Sequence, residues 1–237
     1  MSKEKTMEAE ISGYISSLLR THFGKGPSSV FVTIKRPFFT VHFRGFIAPM
    51  EKILLKQNES KRVLETRDML LSELRDVMIK ELWNIAELDV KEIYADWDLE
   101  RETGVIMGIL REGNAPEETE WVWPDDVNKE EVVRQIEAAS DRAEKVPDET
   151  EVYWLNERTI FVRRKGILVR IEKELIKNGN IQDLKQSKRP LERDVLKEVP
   201  LQGALKRKVN EYFVDWNFDT DEGFVVLILD PEKKPLT

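Results

Sequence analysis

Glu51 and Glu172 hold the strongest claim to chemistry in this chain, because each occupies the same place in a stretch that occurs twice. Val41 to Lys56 runs VHFRGFIAPMEKILLK and Val162 to Lys177 runs VRRKGILVRIEKELIK. The two align without a gap, with Val41/Val162, Gly45/Gly166, Glu51/Glu172, Lys52/Lys173 and Lys56/Lys177 coinciding. An acid in a first helical turn is favoured by the helix dipole by ~0.3–1 kcal/mol, which alone accounts for a glutamate there. The alternative pairs each Glu with an arginine of the following helix, such as Arg67 or Arg75, around a pocket. Arg44, Arg163, Arg164 and Lys165 lie on two hairpins, where such charges form either a solvated face or a cradle for an anion. Bicarbonate, phosphate and a nucleotide would satisfy the same electrostatics.

The remaining candidates are thinner. Asp96, Asp98 and Glu100, with Asp215, Asn217, Asp219, Asp221 and Glu222, offer hard oxygen ligands for Ca2+ or Mg2+. Counted from Asp215, however, Thr220 and Val226 stand where an EF-hand needs Gly and Glu. Exposed acids on a strand and its turn are the plainer reading of Asp96, Asp98 and Asp215, so no metal is expected. The chain has two histidines, His22 at a helix end, where a cationic side chain suits the dipole, and His42 on a strand, where the second copy has Arg163, so both read as structural or surface residues. Gly24 to Ser29, GKGPSS, resembles a phosphate loop but follows a helix and precedes a strand, the reverse of the Walker order. No nucleophile elbow, zinc-protease motif or dinucleotide fingerprint occurs. The expectation is a non-enzyme without a cofactor.

The elements that position these residues repeat as well. Ile11, Ile15, Leu18 and Leu19 mark a first helix, ended by Gly24 or Gly26 and Pro27. A hairpin follows over Val30–Lys35 and Phe38–Arg44, with Phe39, Val41 and Phe43 on one face. Pro49 opens a short helix and Ser60 a long one, striped by Val63, Leu64, Leu71, Leu74, Met78, Leu82 and Ile85. A second hairpin runs from Glu92 to Leu110. In the second half, Asn128 starts a helix, Glu151–Leu155 and Thr159–Lys165 repeat the first hairpin, and Tyr212, Val214, Trp216 and Phe218 match Ile93, Ala95, Trp97 and Leu99. Pro190 and Pro200 predict a broken, shorter helix between them.

The fold class is therefore α+β: two homologous lobes, each α-β-β-α-α-β-β, with a mainly antiparallel four-stranded sheet and helices on one face. The repeats span 1–111 and 129–231, joined by an acidic linker at 112–128 and followed by a tail at 232–237. The net charge of −7 gathers in the connector, where 112–130 hold one Lys against seven acids. Electrically neutral lobes exclude a phosphate-neutralising nucleic-acid binder. No apolar run approaches the ~20 residues that span a bilayer, the N-terminus lacks a signal-peptide pattern, and Cys is absent. A cytoplasmic protein without membrane insertion is expected. Trp121 and Trp123, set among acids, either latch onto one lobe or dock a partner.

The first repeat resembles the small bacterial domain family named for MpsC, also called YbcI-like. The matching residues are Gly24-Lys25-Gly26-Pro27, Gly45-Phe46-Ile47-Ala48-Pro49-Met50-Glu51-Lys52, Arg67, Arg75, Asp96 and Thr103-Gly104. The second repeat retains Gly166, Glu172-Lys173 and Asp215, with Glu144-Lys145-Val146-Pro147 at the first turn. Where the family usually carries Thr before the short helix, Ala48 and Val169 stand. The resemblance implies a domain usually found singly, of which this chain looks like a tandem version. The family name implies association with a Na+-translocating, membrane-potential-generating or inorganic-carbon uptake system. The resulting expectation is a non-catalytic accessory or regulatory protein with a protein partner, a membrane complex being one candidate, acting as a pseudo-two-fold monomer or a homodimer. A small-anion or nucleotide sensor with its ligand between the lobes is the alternative. A divalent-metal enzyme ranks last.

Overall fold

Thr6 starts the first repeat by accepting the Ala9 N–H at 3.3 Å, and helix α1 (Met7–Phe23) runs until Gly24 turns left-handed at φ 77°. The computed structural model describes residues 6–111 and 121–231, and the chain divides into two units at residues 119 and 120. The charged linker at 112–120 and the tail at 232–237 lie outside the described residues.

In the first unit, β1 (Ser29–Lys35) and β2 (Phe38–Arg44) form the expected hairpin, followed by α2 (Pro49–Lys56) and α3 (Ser60–Ala86). Strands β3 (Val90–Asp98) and β4 (Thr103–Leu110) complete an antiparallel sheet of order β1-β2-β4-β3. The period of two along the strands sends Phe39, Val41, Phe43, Ile93, Ala95, Trp97 and Ile106 to one face. There they meet Ile11, Ile15 and Leu19 of α1 and Leu71, Leu74, Met78 and Leu82 of α3 in one core. Each fully buried aliphatic or aromatic side chain of this kind contributes about 1.5–3 kcal/mol.

The second unit repeats the order with α4 (Lys129–Ala143), β5 (Glu149–Asn156), β6 (Thr159–Lys165), α5 (Arg170–Lys177), α6 (Ile181–Glu198), α7 (Leu201–Leu205), β7 (Val209–Asn217) and β8 (Glu222–Leu229). Its sheet has the equivalent order β5-β6-β8-β7, also antiparallel throughout. The duplicated architecture read from the sequence is what the chain adopts.

Two details differ from expectation. Helix α6 runs unbroken through Pro190, and only Pro200 interrupts the chain, ahead of the extra helix α7. An interior proline costs a helix about 3 kcal/mol. Lys188, Arg189 and Glu192 are all buried around it, so tertiary packing outweighs that cost. Second, Asp96 and Asp215 are buried, not exposed acids. They face Val105 and Phe224 on the neighbouring strands, and their carboxylates accept the N–H groups of Trp97 and Trp216 at 2.9 Å. The tryptophans of the connector, by contrast, latch onto one lobe, one of the two readings of the sequence: both pack within the second unit. Trp121 lies 4.6 Å from the Tyr153 ring and Trp123 lies 5.5 Å from Trp154, with the Lys129 ammonium 5.7 Å over Trp123.

The shared glycines after the first hairpins have a steric cause. Gly45 and Gly166 adopt φ 64° and 65°, and a Cβ there would collide with the Ser28 hydroxyl and the Asp148 carboxylate. Gly104 and Gly223 sit opposite Phe43 and Arg164 on the adjacent strands. A Cβ on Gly104 would come within 2.7 Å of the Phe43 ring and 2.8 Å of Trp97. Gly45→Ala and Gly166→Ala are each expected to lower the stability of their repeat by about 1–3 kcal/mol in urea unfolding. Gly203→Ala, whose added methyl meets nothing within 4 Å, serves as the near-neutral comparison.

Candidate functional site

Helix α2 begins at Pro49, and its third residue is Glu51. One carboxylate oxygen, Oε2, accepts the Ala48 N–H at 2.7 Å, satisfying a donor that the helix itself leaves orphaned. Ala48 offers no oxygen in return, so only the glutamate half of a capping box is present. The same geometry recurs at α5, where Glu172 Oε2 accepts the Val169 N–H at 3.0 Å. The hydroxyl missing at Ala48 and Val169 is therefore that of a helix N-cap.

The second partner of each glutamate comes from the following helix. Arg67 grips Glu51 with a two-pronged pair, Nε to Oε1 and Nη2 to Oε2, both at 2.7 Å. Its Nη2 also donates to the Phe46 carbonyl at 3.0 Å. Arg67 is fully buried, with its guanidinium 4.7 Å over Phe46 and 4.9 Å over Trp97. Phe23 and Phe43 close the cage, each 5.4 Å from Phe46. Sixteen residues separate Glu51 from Arg67, and sixteen separate Glu172 from Lys188. Lys188 Nζ accordingly donates to Glu172 Oε1 at 2.9 Å.

Around Lys188 the aromatic cage is replaced by charge. Arg164 stands where the first repeat has Phe43, and Glu192 follows Lys188 by four residues as Leu71 follows Arg67. Glu144 follows the buried Ser140 of α4 as Phe23 follows the buried Leu19 of α1. Glu192 accepts from Arg164 Nη2 at 2.5 Å and from Trp216 Nε1 at 2.8 Å, and lies 3.4 Å from Lys188. Arg164 Nη1 donates to the Ser140 hydroxyl at 3.0 Å, and Lys188 also binds Glu144. Burial disfavours the ionised Glu192, yet Arg164 and Lys188 together hold its carboxyl below the usual range. Burial likewise works against the Lys188 ammonium, and Glu192, Glu144 and Glu172 overcome it, raising its pKa.

A second shared contact explains the lysine of the repeated Glu-Lys. Lys52 reaches Glu102 at 3.6 Å and Lys173 reaches Asp221 at 2.8 Å, each tying the short helix to the turn of the last hairpin. Asp221 also accepts the Leu168 N–H at 2.7 Å.

The other candidates are dispersed. Arg75 is exposed two turns along α3 from Arg67 and takes no part in the Glu51 pair. Arg44 lies 5.5 Å over the Phe31 ring. Arg163 binds Glu222 at 2.8 Å, and Lys165 binds Glu149 at 2.6 Å. Asp98 accepts the Arg101 N–H at 3.0 Å, and Asp215 pairs with Lys185 at 2.9 Å. Among the described residues no group of three or more His, Cys, Asp or Glu is arranged to hold a metal ion. A groove of about 500 Å3 lies apart from all of these, between α1 and α3, lined by Glu10, Gly13, Tyr14 and Asn84. Burial and the nearby Glu81 push its Tyr14 hydroxyl up to about 12. The Glu51 and Glu172 sites, with both oxygens engaged, act as fasteners between helices.

A family model described as "Na+-translocating membrane potential-generating system (MpsC)" matches residues 3–112 and again 129–231. No curated protein and no solved structure matches the chain.

Removing one member of a buried pair leaves an uncompensated charge, a loss of about 3–5 kcal/mol. Glu51→Ala and Arg67→Ala are each expected to destabilise the first repeat by that much in urea unfolding. The double variant Glu51→Ala/Arg67→Met is expected to cost clearly less than the two single losses added together.

Proposed function

The chain belongs to the MpsC family, and we propose that it serves a Na+-translocating, membrane-potential-generating system as a non-catalytic accessory protein that binds a partner. The observation that carries this reading is the family match, found separately in each repeat. The state of the glutamates agrees with it, since carboxylates held by a buried cation and a backbone N–H have no oxygen free for acid–base work. Among the described residues no helix is long and apolar enough to cross a membrane, so the association is proposed to be peripheral, on the cytoplasmic side.

The partner surface we favour is the Trp121-Val122-Trp123 stretch. Its two indoles rest on Tyr153 and Trp154, while Val122 between them is 61% exposed. Such an arrangement presents an apolar side chain on a seated backbone, at low ordering cost to a binding partner. The anion-sensor alternative gains no support, because Arg163 and Lys165 already meet carboxylates of their own unit.

Cells lacking the chain are expected to show a smaller Na+-dependent membrane potential, read with a voltage-sensitive dye. Restoring the wild-type chain should restore the potential, whereas Val122→Asp should not, although it folds normally by circular dichroism. A potential that is the same with and without the chain refutes the proposal.

A further inference from the structure

We propose that the charge cluster of the second repeat is a proton-binding site, and that loss of its proton frees Glu144 and loosens the C-terminal end of α4. The inference is independent of the partner reading above.

The cluster holds three carboxylates, Glu144, Glu172 and Glu192, against two cations, Lys188 and Arg164. Fully ionised, it carries one uncompensated negative charge in a place that excludes water, since Glu172, Lys188, Glu192 and Arg164 are all at most 4% exposed. One bound proton removes that excess.

Two aspects of the geometry place the proton on Glu144. It shares Lys188 with Glu172, and two carboxylates held by one ammonium cannot both stay charged cheaply. It is the C-cap of α4, where the helix dipole disfavours an anion. Its side chain is 15% exposed, which gives the proton a path to water and the freed carboxylate a place to go. The charges facing it are Lys188 from α6 and Glu172 from α5, and beyond Lys188 the network continues to Glu192 of α6 and Arg164 of β6. On the loop that follows, Lys145 is taken up by Asp148 at 3.2 Å. Burial, opposed in part by Lys188 and reinforced by Glu172, pushes the Glu144 carboxyl up from 4.5 to about 7.

Deprotonation has a defined structural outcome. If Glu144 swings out to water, Glu172, Glu192, Lys188 and Arg164 remain as two acids against two bases, a balanced set. What is lost is the tie from the end of α4 to α6. The closed end of α4 therefore keeps its proton where the opened one releases it. Its stability is full below the ordinary glutamate pKa and declines as pH rises through about 7. The first repeat has the uncharged Phe23 at this place and cannot respond.

The amides of Glu144 and Lys145, both donating to the Ser140 carbonyl, report on this end of the helix. In the full chain, hydrogen exchange corrected for its intrinsic pH dependence should show about a tenfold loss of protection at those amides between pH 6 and pH 8. Gly24, whose N–H donates to Arg20 at the equivalent end of α1, should show none. Glu144→Gln should abolish the difference. Equal pH dependence in wild type and variant, or none in wild type, overturns the proposal. So does a carboxyl NMR titration of the wild-type chain that places Glu144 in the ordinary glutamate range, a measurement that stands even if the variant does not fold.

Discussion

A carboxylate can stay ionised away from water only if opposite charge and hydrogen-bond donors meet it there. Both repeats are arranged around that requirement. The acid that starts the short helix is set down at the point where the first hairpin, two helices and the last hairpin converge. It takes one donor from its own helix start and one cation from the next helix. The shared positive-φ glycine turns the chain toward this point, and the shared lysine anchors the short helix to the last turn. The glycine, the glutamate and the lysine beside it, common to both copies, are therefore explained by one junction.

The two copies solve the surroundings of that junction differently. In the first, a bidentate Arg67 lies against aromatic faces, which tolerate a weakly hydrated guanidinium well. In the second, a lysine holds the equivalent place, and a compact, strongly hydrated ammonium needs more oxygen around it. Glu144 and Glu192 supply that oxygen, and Arg164 then balances Glu192. Aromatic burial and ionic complementarity thus fill corresponding space under the same backbone. The first copy depends mainly on removal of apolar surface from water. The second depends on every member of its network being present.

Much of this was legible in the chain itself. Alternation in Phe39, Val41 and Phe43 and the stripe along α3 have simple periods, so the sheets and helices followed from them. The Glu51–Arg67 pairing was visible as an option because an arginine on the next helix was within reach. Its counterpart was not, although the same sixteen-residue separation leads from Glu172 to Lys188. Pro190 obscured it, because local propensity argues for a broken helix while packing around Lys188, Arg189 and Glu192 keeps it whole. Charged residues inside a core also defeat periodicity. Arg67 sits in the apolar stripe of α3, and Arg164 sits on the core face of β6, yet by type each reads as surface.

The Arg164–Glu192 pair has a bearing on how this gene can change. Duplicated segments exchange sequence readily by recombination, which tends to make copies alike. A crossover that brought Arg164 into the first half without Glu192, or Phe43 into the second without Leu71, would strand a lone ion among rings or leave a carboxylate without its cation. Such hybrids would fold poorly and be lost. A change that passes between the halves has therefore to carry both members of the pair at once.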